Sequence, residues 1–274
     1  MSVAGRWLVD GEAGAAVPPD DRGLAYGDGL FETVAWRGGR PLRWARHMAR
    51  LAEGCRRLGL PPPDAGTLLD EARRLAPAAG DAVLKIVLTR GGGGRGYAPP
   101  PAARTRRMLS VHPWPRRPAF EAGAAVVLCR TPVAVSPALA GIKHLGRAEH
   151  VLAAAELAAA GAWEGLMRDP DGWVVCGTRT NLFAVRAGVL WTPELSRSGV
   201  CGILRAEVLA LARRLGIPVR VGRLSLAAVR EAEELFLTNA LIGILPVTRF
   251  EAHRLPVGPV ARRLAAALAA EEGG

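Results

Sequence analysis

Lysine is nearly missing from this chain of 274 residues: of its 36 basic residues only Lys85 and Lys143 are lysines, and the rest are arginine. A guanidinium holds its proton at any usable pH, so arginine can replace lysine wherever charge alone is needed, but it cannot attack a carbonyl or act as a base. A lysine that persists against this bias is either an incidental surface residue or a chemical one. Cysteine is sparse too, and Cys55, Cys129, Cys176 and Cys201 form no CxxC pair, which excludes the usual zinc and redox-dithiol spacings and predicts a reduced, cytoplasmic protein. No apolar run reaches the ~18 residues that a membrane span requires, and Asp10, Glu12, Asp20 and Asp21 interrupt any leader-like start. Aromatics make up 5% of the residues against 50% hydrophobic overall, so helices are expected to pack closely through alanine.

The formal charge of +11 would ordinarily point to nucleic acid. Its arginines are scattered, however, with no block of five or six like charges and no stacking aromatics among them. A basic surface that receives a small anionic substrate fits equally well, and a non-catalytic nucleic-acid binder stands as the rival from another class. The length suits two domains. Pro113-Trp-Pro-Arg-Arg-Pro118 is the proline-dense connector in mid-chain. It predicts an N-terminal α+β domain over 1–113, a linker over 114–119 and a C-terminal domain over 120–274.

Leu30 to Trp36 alternates as a strand behind the turn Tyr26-Gly-Asp-Gly29, and Leu42 to Leu58 reads as a helix with Trp44, Met48, Leu51, Cys55 and Leu58 on one apolar stripe. Arg50 lies off that stripe, where periodicity alone puts it in solvent. Lys85 sits in the β-branched run Ala82–Leu88, a strand-edge or snorkelling position. Thr89 to Tyr97 is glycine-rich, yet lacks the ending of a P-loop and the placement of a dinucleotide motif, so it reads as a loop presenting Arg95 and Tyr97. Lys143 falls in a loop just before a helix, a setting that often displays functional groups. Short strands follow over 165–168, 173–176, 181–185 and 189–192, and Val200-Cys-Gly-Ile-Leu-Arg205 opens a helix whose free amides suit an anion. A helix from Ser225, strand material from Glu234 to Pro246 and a C-terminal helix complete an α+β pattern without regular βαβ alternation.

Taken in order, YGDGLFETV, RHMARL, LKIVLTRGGGGRGY, GIKHLGRAEHVL, TNLF, GVCGILR and LTNALIGILPV resemble the fold-type IV pyridoxal-phosphate enzymes. That group holds the branched-chain and D-amino-acid aminotransferases and 4-amino-4-deoxychorismate lyase, and the GIKHL and RGGGGRGY segments are more like the lyases than the transaminases. The resemblance implies a two-domain fold like that of D-amino-acid aminotransferase, with a small N-terminal α/β domain and a larger C-terminal domain built on a mixed, barrel-like sheet. It implies pyridoxal 5'-phosphate as cofactor, Lys143 as the Schiff-base lysine in the C-terminal domain, Arg50 and the backbone of Ile203 and Leu204 as phosphate ligands, and Asn239 and Ala240 beside them. Ala240 stands where related transaminases often place a phosphate-binding threonine. Tyr26, Arg95 and Tyr97 are the implied substrate contacts, and a cytoplasmic homodimer the implied assembly.

One position departs from the pattern. Five residues before Asn181, where much of the family has a glutamate against the pyridine nitrogen, this chain has Cys176. A neutral thiol stabilises a protonated ring less than a carboxylate does, which favours a reaction driven by aromatisation over transamination. The expected activity is that of a carbon–oxygen lyase releasing pyruvate from 4-amino-4-deoxychorismate, with an aminotransferase on the same fold as the alternative.

Overall fold

A computed structural model of the chain describes residues 7–93, 96–101 and 104–273. The chain divides into two compact units, Met1–Pro115 with Ile142–Gly146, and Arg116–Gly141 with Arg147–Gly274. The division after Pro115 falls in the proline-dense connector. The pentapeptide carrying Lys143 packs with the first unit, and not with the C-terminal one to which the sequence assigned it. Backbone hydrogen bonding is the reason: Phe31 N–H donates to Lys143 O at 2.9 Å and Leu145 N–H to Gly29 O at 3.0 Å.

The first unit contains β1 (Trp7–Val9), β2 (Glu12–Ala13), α1 (Arg22–Tyr26), β3 (Gly29–Arg37), β4 (Arg40–Pro41), α2 (Trp44–Leu58), α3 (Ala65–Leu75), β5 (Ala82–Thr89) and β6 (Arg106–Pro113). Its six strands form one antiparallel sheet in the order β2-β1-β6-β5-β3-β4. Asp64 caps α3 by accepting from Thr67 N–H, and Gly59 ends α2 in the left-handed conformation that glycine adopts at least cost. The buried stripe of α2 is rotated from the expected one. Leu51 and Cys55 are buried as foreseen, but the stripe runs through His47 and Gly54, while Trp44, Met48 and Leu58 are only half-buried. Gly54 permits this, because a Cβ there would lie 2.8 Å from the Leu30 methyl carbons.

The second unit contains β7 (Ala124–Leu128), α4 (Ala148–Ala160), β8 (Glu164–Arg168), β9 (Val174–Gly177), β10 (Asn181–Arg186), β11 (Val189–Pro193), α5 (Ile203–Arg214), β12 (Val219–Gly222), α6 (Leu226–Arg230), β13 (Glu234–Asn239), β14 (Gly243–Phe250), β15 (His253–Arg254) and α7 (Pro259–Gly273). Its mixed sheet runs β12-β11-β10-β13-β14-β7-β8-β9, with β15 beside β14, and β9 at the far edge returns against β10 and β11, so the sheet curls into a half-barrel. The stretch expected as continuous strand material from Glu234 is two strands folded over a turn at Ala240–Ile242, and β12 is an edge strand the periodicity did not reveal. One apolar layer lies inside the curl, around Leu166, Leu182, Leu237 and Leu245. Another lies between the sheet and α5 and α7, around the stacked rings of Phe183 and Phe236. Among the described residues no helix is long and apolar enough to cross a membrane.

Glu164 closes the curl at β9. Fully buried, it accepts from Gly165 N–H, Thr178 N–H, Thr178 Oγ1 and Thr180 Oγ1, so one carboxylate holds the turn between β9 and β10. Glu164→Ala strands these donors in an apolar setting. It is expected to cost on the order of 3 kcal/mol and to lower the thermal midpoint by several degrees, read by calorimetry; an unchanged midpoint would show that the carboxylate is dispensable.

Candidate active site

In the first unit the chemistry gathers on β3, whose alternate side chains point to opposite faces. Phe31 is on one face. Its ring centroid lies 4.1 Å from Lys143 Nζ and 5.9 Å from Lys85 Nζ, so the only two lysines in the chain meet over one aromatic ring. Lys143 reaches it from the segment bridged to β3 at Leu30 and His144, and Lys85 from β5, paired with Thr33. Lys85 is exposed, as a snorkelling lysine is, but β5 is an interior strand and not an edge one, and the amine reaches the same ring as that of Lys143. A cation over a ring face is held electrostatically, and two amines held this way offer two cationic points to an anion.

Glu32 is on the opposite face, 1% exposed and turned to α2. Arg50 Nε and Nη2 donate to its Oε1 and Oε2 at 2.8 and 2.5 Å, and His47 Nδ1 lies 2.7 Å from Oε2. This bidentate pairing leaves the Arg50 side chain 13% exposed, a correction to the solvated position that periodicity gave it. Burial by itself would raise the Glu32 carboxyl, but the hydrogen bonds from His47 and Arg50, with their charge, hold it below the usual carboxylate range. Burial pushes His47 below its ordinary value in spite of Glu32, so the ring is neutral at pH 7. Because the carboxylate can only accept, the neutral ring carries its proton on Nδ1. Glu32 and His47 escaped the sequence reading, although an acid on the same strand face as Leu30 and Val34 is itself a signal of a buried partner.

Arg22, 3% exposed, donates through Nε to Asp28 at 3.0 Å and through its remaining nitrogens to the carbonyls of Gly96, Tyr97 and Ala98. Arg90 grips the same Asp28 by two bonds, of 2.7 and 3.0 Å. Burial opposes the charge on Asp28, yet these arginines keep its carboxyl low. The loop so held places Tyr97 edge-on to Tyr26 with centroids 5.4 Å apart, and both rings are exposed. Tyr26 and Tyr97 are thus brought together, while Arg95 lies outside the described residues.

In the second unit Ile203 and Leu204 form the first turn of α5, whose N-cap Gly202 has no side-chain bond and whose first turn holds no acid. The first amides of a helix have no partner inside it, so they are open to an anion. Asn181 donates to Val200 O at 2.9 Å and fixes the approach to this turn. Asn239 accepts from Leu241 N–H and Ile242 N–H and donates to Arg179 O, so its carboxamide stiffens its own turn, and half-buried Ala240 offers no polar side-chain atom. Cys176 is buried among Cys129, Val133 and Met167. Burial, reinforced by Glu164, pushes its thiol up to about 12, and it stays neutral. An uncapped helix start of this kind is a donor type that a phosphate monoester takes.

Comparison with known proteins gives one consistent result. Residues 29–250 match the family model described as amino-transferase class IV. The chain is 33% identical to aminodeoxychorismate lyase of Vibrio harveyi, over 93% of this chain and 97% of that protein. It superposes on crystalline 4-amino-4-deoxychorismate lyase from Pseudomonas aeruginosa with a TM-score of 0.91 and 46% identity, covering 97% and 98% of the two chains. It also matches the branched-chain amino acid aminotransferase of T.th., crystallised with pyridoxamine 5'-phosphate, at a TM-score of 0.84 and 26% identity over 96% and 92%.

The buried carboxylate on β3 leads to two expected outcomes. Arg50→Ala leaves Glu32 charged and half-partnered and is expected to destabilise the fold by about 3 to 5 kcal/mol. Combining it with Glu32→Gln should cost less than the sum of the single variants, and an additive denaturation cycle would mean the pair is not coupled. The second concerns pH. A depressed histidine or carboxylate lends stability that is present above its unfolded-state value and is lost as pH falls. The thermal midpoint should therefore be level above about pH 6.5, decline below it as His47 is forced to protonate, and fall more steeply below about pH 4 as Glu32 and Asp28 do. His47→Gln keeps a donor to Glu32 and should remove the first decline; a profile identical to the parent's would assign that decline to another group.

Proposed function

The chain belongs to the class IV aminotransferase family, and within it we propose a pyridoxal-phosphate-dependent lyase that converts 4-amino-4-deoxychorismate to 4-aminobenzoate and pyruvate, a step that supplies folate synthesis. The observation that carries this reading is the convergence of Lys143 and Lys85 on Phe31, one amine for the chemistry and a second for a substrate carboxylate. Bound pyridoxal phosphate supplies the electron sink that makes the proton on the amine-bearing carbon removable. Lys143 would hold this cofactor through Nζ, with Arg50 and the amides of Ile203 and Leu204 taking its phosphate. Arg50 comes to that task already aligned by Glu32.

With the substrate's amine in place, Lys143 Nζ would take the proton from the amine-bearing ring carbon and return one to the methylene of the departing enolpyruvyl group. The ring carbon–oxygen bond parts, the ring becomes aromatic and pyruvate leaves. The reaction is grouped by convention with carbon–carbon lyases, although the bond that breaks here is carbon–oxygen. Tyr26 and Tyr97, presented by Arg22, are the proposed substrate contacts, and Cys176 the proposed neutral neighbour of the ring nitrogen. Its protonated thiol favours the lyase over transamination, because a reaction that ends in an aromatic ring depends less on the sink. Four cysteines outside any disulfide fit a cytoplasmic setting, and the exposed Val151 and Leu152 on alanine-rich α4 fit a homodimer.

Borohydride reduction of the protein loaded with pyridoxal phosphate should fix the cofactor on Lys143, and Lys143→Ala and Lys143→Arg should both abolish pyruvate release from 4-amino-4-deoxychorismate, followed by a coupled assay. The Arg variant keeps the charge but offers no free amine. An adduct on Lys85 would overturn the assignment, and turnover that appears only with a keto-acid acceptor would make the protein an aminotransferase.

A further inference from the structure

Thr238 is the fully buried threonine of β13, and its Oγ1 has no hydrogen-bond partner. Buried threonine hydroxyls elsewhere in the second unit do not share this state. Thr178 and Thr180 donate to Glu164, and Thr192 donates to Leu182 O. A hydroxyl kept from both water and protein is costly, so a site that retains one has a use for it when something else is bound.

The pairing of the strands shows which way it faces. Thr238 lies directly opposite Asn181, and paired residues project from the same face of a sheet. Asn181 fills the space against Gly202, where an added Cβ would come within 2.0 Å of its Oδ1, and its amide holds Val200 O. Two residues along both strands, on this same face, Phe183 and Phe236 stack and pack with Leu204 and Val208 of α5. Thr238 therefore faces α5 near its first turn. There the amides are uncapped, and Arg205, the nearest cation in sequence, is turned away to Thr192 Oγ1 and Pro193 O. Ala240, next on that face, has no donor in its side chain.

We infer that Thr238 Oγ1 is a ligand of the cofactor's phosphate, donating to one oxygen while the first amides of α5 serve the others. The inference rests on the pyridoxal-phosphate reading of the protein and adds a side-chain hydroxyl to the backbone amides that α5 contributes. It also carries a double signature. Thr238→Val has the same shape without the hydroxyl, so it removes a phosphate donor from the loaded protein and an unsatisfied group from the stripped one.

The test uses the full chain freed of cofactor, as wild type, Thr238→Val and Thr238→Ser. Absorbance titration should show Thr238→Val binding pyridoxal phosphate about tenfold more weakly, with binding of pyridoxal, which lacks the phosphate, unchanged and Thr238→Ser close to wild type. Without ligand, the thermal midpoint of Thr238→Val should equal or exceed that of wild type, and inorganic phosphate should raise the wild-type midpoint more than the variant's. Equal pyridoxal phosphate affinity in all three proteins would overturn the inference and leave the cofactor reading intact. So would a lowered midpoint in stripped Thr238→Val with an unchanged preference for pyridoxal phosphate over pyridoxal, which would mark the hydroxyl as structural. Wild type that binds inorganic phosphate through Thr238 but takes up no pyridoxal phosphate would sustain the ligand and sink the cofactor reading. Binding of neither would sink both.

Discussion

The buried carboxylate of Glu32 is the constraint on which the first unit turns. A charge that is taken out of water needs partners on every side, and Glu32 finds them in Arg50 and His47, one turn of α2 apart. This fixes how α2 is rotated on the sheet, and in doing so decides that its buried stripe passes through His47 and Gly54. The same strand presents Phe31 to the other side, where it receives both amines of the chain and pairs its backbone with Lys143. One residue step on β3 thus separates the group that aligns an arginine from the group that seats a lysine. A slip of register by one would exchange the two faces and destroy both arrangements.

Much of this was readable in the sequence because it is local. The helix over Leu42–Leu58, the alternation of β3 and the β-branched run of β5 are short-range patterns that the fold obeys. The amides of Ile203 and Leu204 at a helix start follow from the same kind of evidence. What eluded the sequence is what long-range pairing decides. Arg50 leaves solvent because a glutamate eighteen positions earlier claims it, and the Lys143 segment joins the first unit because β3 supplies its backbone partners. The unpaired state of Thr238 follows from its neighbours across strands, which no periodicity contains.

Arginine's dominance also shapes the interior. Glu32, Asp28 and Glu71 are each held by an arginine through two or more hydrogen bonds, a planar fork that an ammonium cannot match. A protein that can call on so many guanidiniums can bury carboxylates as anchors, and those anchors then orient loops and helices at a distance. Arg22 illustrates the economy, since a single side chain ties Asp28 to three consecutive carbonyls of the glycine-rich loop.

That loop has a practical consequence. The chain has two tyrosines and they touch, Tyr97 edge-on to Tyr26, with Arg22 stacked over the latter. A reagent that marks phenols, by nitration or iodination, would therefore label one place only. Its product would shift in colour or ionisation as that loop changes its surroundings, giving the protein a built-in optical reporter without the introduction of any foreign dye.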